Sequence, residues 1–290
     1  MRAEIRLAQP GPFAPDLGHA SGGKWEIGLL SWPPCSPRSQ AAFWFAWGGC
    51  TLIHVNDVSF SYGPTPILQG LSIHVGTGEF VSLVGPSGCG KSTVFQLLTG
   101  MRRPDAGTIS VLSAPPQPGR VGYMPQRDCL MPWRTALANA AVGLEVQGTP
   151  PAEARQQAMA LWSEFGLSGA EERYPHQLSG GMRQRVAFLR TVLGGHPILL
   201  LDEPFGALDA MTRAQMQQWL LDLWERLGKT VLFITHDAEE AALLSDRVYA
   251  LKGSAVEIKI PLPRPRQYGM VTDPALLERR AAILREVGLC

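Results

Sequence analysis

A glycine-rich run, Gly85-Pro86-Ser87-Gly88-Cys89-Gly90-Lys91-Ser92-Thr93, has the residue types that bind phosphate. Its glycines let successive backbone N–H groups curl into a nest around anionic oxygens. Lys91 adds a point charge for the β and γ phosphates, and the Ser92 hydroxyl can ligate Mg²⁺. The run fits G-x-x-x-x-G-K-[ST]. It lies between a β-rich segment at 80–84 and a helix-forming segment at 92–99, the setting that gives this spacing its meaning. Alone, it would also suit an ordinary glycine turn.

Two further clusters could act on a bound nucleotide. Ile198-Leu199-Leu200-Leu201-Asp202-Glu203 reads as an apolar strand that delivers two carboxylates at its end. Asp202 would help hold Mg²⁺, and Glu203 would polarise an attacking water as general base. An isolated run of this kind is also what a buried strand ending in an acidic turn looks like. Its position downstream of a phosphate loop favours the chemical reading. Leu178-Ser179-Gly180-Gly181-Met182 opens a helix that continues through Arg183-Gln184-Arg185. A serine and two glycines at a helix start form a second anion-binding nest. A capped surface helix is the plainer alternative.

The 178–182 run closely resembles the LSGGQ signature of ATP-binding cassette (ABC) ATPases, with Met182 where the family usually has glutamine. The Ser-Gly-Gly core is intact. Other positions resemble the family in the same order. Tyr62, in Phe60-Ser61-Tyr62-Gly63, matches the aromatic residue that stacks on adenine. Gln126, in Met124-Pro125-Gln126, matches the glutamine that senses Mg²⁺ and the attacking water. Phe205-Gly206-Ala207-Leu208-Asp209 resembles the loop that crosses the dimer, and His236, in Thr235-His236-Asp237, matches the switch histidine near the γ-phosphate. Taken singly, that tyrosine and that histidine would pass for structural residues.

The resemblance spans residues 51–255. It implies an α/β fold: a P-loop NTPase with a RecA-like, mostly parallel core sheet, an antiparallel β portion and an inserted helical subdomain. It also implies ATP and Mg²⁺ as ligands. A homodimer would sandwich two ATP molecules, each between the 85–93 loop of one subunit and Ser179, Gly180 and Gly181 of the other. Transmembrane permease subunits would be partners, with a solute-binding protein behind them and no nucleic acid. The ATPase would sit at the cytoplasmic face of the membrane.

A finer resemblance concerns Gln126-Arg127-Asp128-Cys129-Leu130-Met131-Pro132-Trp133-Arg134-Thr135. This stretch is similar to one found in importers of nitrate, sulfonates, taurine and pyrimidine precursors. Runs 178–185, 202–209, 261–266 and 273–284 are similar to that group as well. Residues 127–134 also offer Leu130, Met131 and Trp133 beside two arginines, types enriched at protein interfaces. They could anchor a permease, or fill the joint between the core and the helical subdomain.

The elements needed to position these groups are legible in outline. Strands are expected near 52–58, 67–75, 80–84, 108–111, 121–124, 198–201, 230–235 and 248–251. Helices are expected at 92–99, 179–193, 211–227 and 238–244. The 135–175 block reads as helical with a break at 148–151, and the helical subdomain as about 135–177. Strands alternating with helices imply a mostly parallel sheet covered on both faces. Residues 256–290 read as a C-terminal extension. Residues 1–50 hold six prolines at 10, 12, 15, 33, 34 and 37 and no sustained period, and read as a disordered extension. Sequence upstream of the true start codon would read the same way; the tryptophans at 25, 32, 44 and 47 argue against disorder and leave a docking tail as the lesser reading.

Composition excludes some classes. The 290 residues are 45% hydrophobic and 18% charged, ordinary for a globular chain, and the net charge of +1 shows no bias toward nucleic acid. The five cysteines, Cys35, Cys50, Cys89, Cys129 and Cys290, are scattered without zinc-ligand spacing and read as reduced thiols. No run reaches the roughly 18 apolar residues of a spanning helix. Long coiled-coil insertions or tandem ATPase domains would mark a DNA-repair or translation ATPase, and neither is visible. A P-loop small-molecule kinase would leave Ser179-Gly180-Gly181 and His236 unexplained.

Overall fold

The computed structural model describes residues 51–206, 208–252 and 254–288. The expected 1–50 extension lies outside the described residues, as does Ala207 of the 205–209 run.

Two sheets share the scaffold. The first is three-stranded and antiparallel in the order β2-β1-β4, from β1 (Thr51–Tyr62), β2 (Thr65–Gly76) and β4 (Ala106–Val111). On β1 the buried positions run Ile53, Val55, then Val58, Phe60, so the inward face changes parity. A register shift between Val55 and Val58, with Asp57 at φ 50, supplies the extra residue. Such a bulge is what keeps apolar side chains inward once the alternation slips.

The second sheet runs β5-β6-β7-β3-β8-β9, from β5 (Gly122–Met124), β6 (Ile198–Asp202), β7 (Thr230–Thr235), β3 (Phe80–Val84), β8 (Arg247–Lys252) and β9 (Ser254–Lys259). All neighbouring strands except β8 and β9 pair in parallel. β3, β6 and β7 are buried along their whole length. That explains their unbroken apolar sequences, since a central parallel strand is covered on both faces. Alternate side chains feed two cores. Val81, Leu83, Leu200 and Ile234 pack with the antiparallel sheet and helix α1 (Lys91–Leu98). Phe80, Leu199, Leu201 and Phe233 pack with the other helices.

Those helices are α2 (Ala136–Val146), α3 (Pro151–Trp162), α4 (Gly180–Leu193), α5 (Ala210–Leu227), α6 (Ala238–Leu244) and α7 (Pro274–Val287). α2, α3 and α4 form the helical block, packed through Ala140, Ala141, Ala154, Ala158, Trp162 and Phe188. The expected helical run to 175 stops at Trp162. Gly166 and Gly169 then take φ values of 62 and 79, a conformation glycine adopts at little cost, and the chain turns through a 3₁₀ segment, Pro175–Gln177.

Two elements beyond the sequence reading lie after residue 252. β9 extends the main sheet, so the expected boundary at 255 falls inside a strand. α7 buries Leu276, Ile283 and Val287 in the same core as β3 and β6. Between them, the guanidinium of Arg266 is buried and donates to the carbonyls of Leu243, Ser245, Ile260 and Leu262 at 3.2, 2.6, 3.2 and 3.0 Å. It thereby satisfies orphan carbonyls at the end of α6, which otherwise lack partners. Burial, and then Arg264, pull its pKa down to about 10.

Candidate functional site

The C-terminal ends of β3, β5, β6 and β7 lie along one edge of the parallel sheet, where α/β folds place their ligands. Each of the central sequence motifs leaves the sheet there.

From β3 the chain enters the 85–90 loop and then α1. A Cβ on Gly85 would lie 2.5 Å from the Leu251 carbonyl oxygen and 2.8 Å from Cys89 Sγ. Gly90 caps α1 at φ 99, and a Cβ there would meet Ile67 and Leu68 at 2.8 Å. These two glycines let the loop press against β8 and β2. α1 has no side-chain cap, so the donors of its first turn stay available. The Lys91 ammonium is buried and donates to the carbonyls of Gly85 and Pro86 at 2.8 and 3.0 Å. Its direct partners are thus uncharged carbonyls, and the Asp202 carboxylate acts on it only through space. A phosphate fits that cradle in charge and in hydrogen bonding. Burial pushes the Cys89 thiol up, so it resists ionising beside that lysine.

From β6 the chain delivers Asp202 and Glu203. Asp202 is 4% exposed and is hydrogen-bonded to Ser92, across from the loop. Tyr123 donates to Asp202 Oδ2 at 3.5 Å. Burial, with Glu203 adding to it, pushes the Asp202 carboxyl up, against the hydrogen bonds and the Lys91 charge. Tyr123 is pushed up to about 12, first by burial and then by Asp202. Ser92, Asp202 and the Gln126 amide oxygen are hard oxygen donors, the set that suits Mg²⁺.

Glu203 takes φ 45, the left-handed region that a non-glycine residue enters only under constraint. The constraint is visible: its N–H donates to the Ile234 carbonyl at 2.9 Å and its carbonyl accepts from Gly206 at 3.2 Å. The twist turns the side chain toward Gln126 and His236. Gln126 Nε2 donates to Glu203 Oε2 at 3.1 Å, and His236 Nδ1 lies 3.3 Å from the same oxygen. Residues from the ends of β5, β6 and β7 thus converge on one carboxylate oxygen.

After Gln126 the loop is held by side chains. Arg190 on α4 donates to the carbonyls of Asp128 and Cys129 at 2.7 and 2.9 Å, and Arg183 pairs with Asp128 at 3.2 Å. The buried Asn139 of α2 accepts from Met131 N–H at 2.7 Å and donates to the carbonyls of Met131, Arg134 and Thr135. Leu130 packs against the core, whereas Trp133 is 74% exposed. The joint-filling alternative therefore applies to Leu130 and not to Trp133.

Ser179 caps α4, its Oγ accepting from Met182 N–H at 3.2 Å. Gly180 and Gly181 face Leu208 and Thr212, at 3.3 and 3.0 Å from an added Cβ. The structure joins this run to the 205–209 turn and the start of α5. Tyr62 is 38% exposed at the end of β1. Its hydroxyl donates to Gln96 of α1 at 2.9 Å, and the Arg102 guanidinium lies 4.6 Å from its ring centroid.

Sequence reasoning missed Tyr123, Asn139 and Arg190. Tyr123 stands on β5, three residues before Gln126 in the loop that follows it, a usable signal. The two others act through backbone carbonyls and carry no motif.

A family model described as ABC transporter matches residues 68–206. The chain is 42% identical over 241 residues to the formylaminopyrimidine import ATP-binding protein ThiZ of Halalkalibacterium halodurans, covering 81% of this chain and 94% of that one. It is 38% identical over 249 residues to the taurine import ATP-binding protein TauB of Yersinia pestis, covering 81% and 97%. It is 40% identical over 245 residues to the aliphatic sulfonates import ATP-binding protein SsuB of Cupriavidus pinatubonensis, covering 82% and 78%. Among solved structures, the dimeric ATP-binding cassette MJ0796 in a post-hydrolysis state with ADP and Pi aligns at TM-score 0.64 and 30% identity, covering 73% of this chain and all of that one. The chain belongs to the ABC transporter family, as an ATP-binding subunit that hydrolyses ATP.

Proposed function

We propose that this chain works as a homodimer on the cytoplasmic face of the cell membrane and powers an importer of small solutes of the nitrate, sulfonate, taurine or pyrimidine-precursor kind. The names of its relatives support the cargo class: formylaminopyrimidine, aliphatic sulfonates and taurine. The dimeric cassette in the post-hydrolysis state supports the dimer. Transmembrane permease subunits would receive the motion, with a solute-binding protein delivering cargo to them.

The observation that carries the catalytic reading is the convergence of Gln126 and His236 on Glu203 Oε2. Each residue then has a task. The 85–90 nest, the first turn of α1 and Lys91 hold the phosphates, with Cys89 and Thr93 contributing backbone or hydroxyl donors. Ser92, Asp202 and Gln126 would hold Mg²⁺, which when bound neutralises charge that develops on the phosphates. Glu203 polarises the attacking water. His236 orients Glu203 and stands ready to donate to the γ-phosphate. Tyr62 offers its partly exposed ring, beside Arg102, to adenine. Ser179, Gly180 and Gly181 cap the nucleotide of the partner subunit. Closing the dimer on ATP gives the closed state its extra affinity, and hydrolysis removes it.

Glu203→Gln tests the assignment. The amide keeps the shape and the contact to Gln126 but cannot act as a base. Turnover should fall by roughly a hundredfold or more while ATP binding survives. Steady-state phosphate release alongside a nucleotide titration measures both; near-normal turnover would defeat the role given to Glu203.

A further inference from the structure

Glu240 is a buried carboxylate with no part in the scheme above. It sits on α6 and is 6% exposed. Its Oε2 accepts from the Thr235 hydroxyl at 2.5 Å, and its Oε1 accepts from Gln217 Nε2 at 3.0 Å. The same Thr235 hydroxyl accepts from the Asp237 N–H at 3.0 Å. Thr235 and Asp237 flank His236, so the hydroxyl braces the turn that carries the histidine. Glu240 uses the one proton of that hydroxyl, leaving its lone pair for Asp237. The rotor therefore has a single orientation.

The other oxygen reaches a different element. Gln217 lies on α5, the helix that follows the 205–209 turn. Arg213, also on α5, holds the Leu208 carbonyl at 3.1 Å through one guanidinium nitrogen. Its Nε is buried without a hydrogen-bond partner and lies 4.0 Å from Glu240 Oε1. A buried donor left unpaired beside a carboxylate is costly, so a small movement of α5 toward α6 would be rewarded. Glu240 thus stands between the turn that aims His236 and the helix anchored to Leu208, and Leu208 touches the Gly180 face. Burial pushes the Glu240 carboxyl up, with Asp237 adding to it, against the bonds from Thr235 and Gln217 and the charge of Arg213.

We propose that Glu240 is a positioning residue for ATP hydrolysis, fixing the turn that carries His236 and tying it to the helix that follows the 205–209 turn. The inference rests on the reading of His236 given above. Glu240 acts through Thr235 and does not touch nucleotide.

A cycle of variants in the full chain tests it, read as kcat and KM for ATP at a temperature where every variant is folded. Glu240→Ala should lower kcat about tenfold or more with KM within about twofold of wild type. Glu240→Gln should recover kcat to within about threefold, because its amide oxygen still accepts from Thr235 and Gln217 can reverse its own amide. His236→Ala/Glu240→Ala should be no slower than His236→Ala alone, since residues acting as a unit are not additive. Thr235→Val, nearly isosteric, should reproduce the loss and keeps the test alive should Glu240→Ala not fold. Wild-type kcat in Glu240→Ala, or a loss that multiplies with that of His236→Ala, overturns the inference alone. Wild-type turnover in His236→Ala overturns the reading of His236 and this inference together.

Discussion

Two helix starts in this molecule are built from serine and glycine, yet they are finished differently. At α1, Gly90 provides no side-chain cap, Lys91 lies buried against neutral carbonyls, and the preceding loop presses on β8 and β2. At α4, Ser179 caps its own helix, and the first cation along it, Arg183, is engaged by Asp128 and by the Leu178 carbonyl. The first start combines uncapped donors with a cation whose direct partners are neutral. The second spends one donor on its own cap, and the cation of its first turn is already engaged. A nest with no cation of its own is half a site, and it gains anion affinity only where another subunit brings the rest. That is the physical reason why the second nest goes with the proposed dimer.

The comparison can be broken most sharply at Lys91. Lys91→Ala removes the fixed side-chain cation of the first nest. ATP affinity should fall by about a hundredfold, consistent with losing charge-assisted hydrogen bonds worth roughly 3 kcal/mol. A titration of the isolated subunit measures this. Unchanged affinity would mean that the backbone nest alone suffices and that the contrast between the two starts is empty.

Ser179→Ala probes the other start. It removes the cap on Met182 N–H and should cost about 1 kcal/mol of stability. ATP affinity of the isolated subunit should not change, while turnover should fall by roughly tenfold, since the partner's nucleotide loses a donor. If Ser179→Ala weakened ATP binding as Lys91→Ala does, α4 would be serving its own chain's nucleotide.

The two starts also differ in how openly the sequence announces them. Glycines, Lys91 and the paired carboxylates are local signals, because the backbone conformations and charges they provide are needed within a few residues. β3, β6 and β7 announced themselves through unbroken apolar runs. What stayed hidden depends on distant partners. Arg266 is a charged residue in a proline-rich stretch, and only the unfilled carbonyls at the end of α6 explain its burial. Asn139 reads as an ordinary helix residue, although it ties down the loop after Gln126. β9 and α7 carried weaker signals, with α7 bounded by Asp273 as its cap and Gly288 at φ 79. Its buried residues Leu276, Ile283 and Val287 share one helical face, but Arg279 and Arg280 occupy the intervening i+3 and i+4 positions and interrupt the apolar stripe.

A smaller effect is expected at Asp202, and its sign separates function from stability. The carboxyl is pushed up by burial from its ordinary value of 3.8, so the folded state holds the proton more tightly than the unfolded state. As pH rises above 3.8 and through the raised folded value, stability is lost; at neutral pH the full cost of the buried charge is present. Asp202→Asn carries no such charge. The apo protein should then melt higher at pH 7, with the difference shrinking toward pH 4. Turnover with Mg²⁺ and ATP should collapse. A variant that melted earlier at pH 7 would show that the Ser92 and Tyr123 hydrogen bonds outweigh desolvation.

The smallest effect on the isolated subunit belongs to Trp133, and it sets the tethered loop against the two nests. Arg190, Arg183 and Asn139 hold the backbone on either side, so the loop's shape does not depend on the indole. The ring itself is 74% exposed, and Pro132 precedes it. Trp133→Ala should therefore leave melting temperature and basal ATPase almost unchanged, within about 0.5 kcal/mol of stability, as exposed substitutions do. A large exposed aromatic ring on a stiff loop is a suitable anchor for a partner, because little side-chain freedom is lost on binding. The same loop begins at Gln126, which bonds Glu203, so a partner seated on Trp133 would be coupled to the state of the nucleotide. Binding to the permease should weaken by roughly 2 kcal/mol or more, about thirtyfold in Kd. Co-purification and a titration against reconstituted permease measure the loss. Normal permease binding by a well-folded Trp133→Ala protein would move the contact surface away from this loop, leaving residues 127–134 as a brace between α2 and α4.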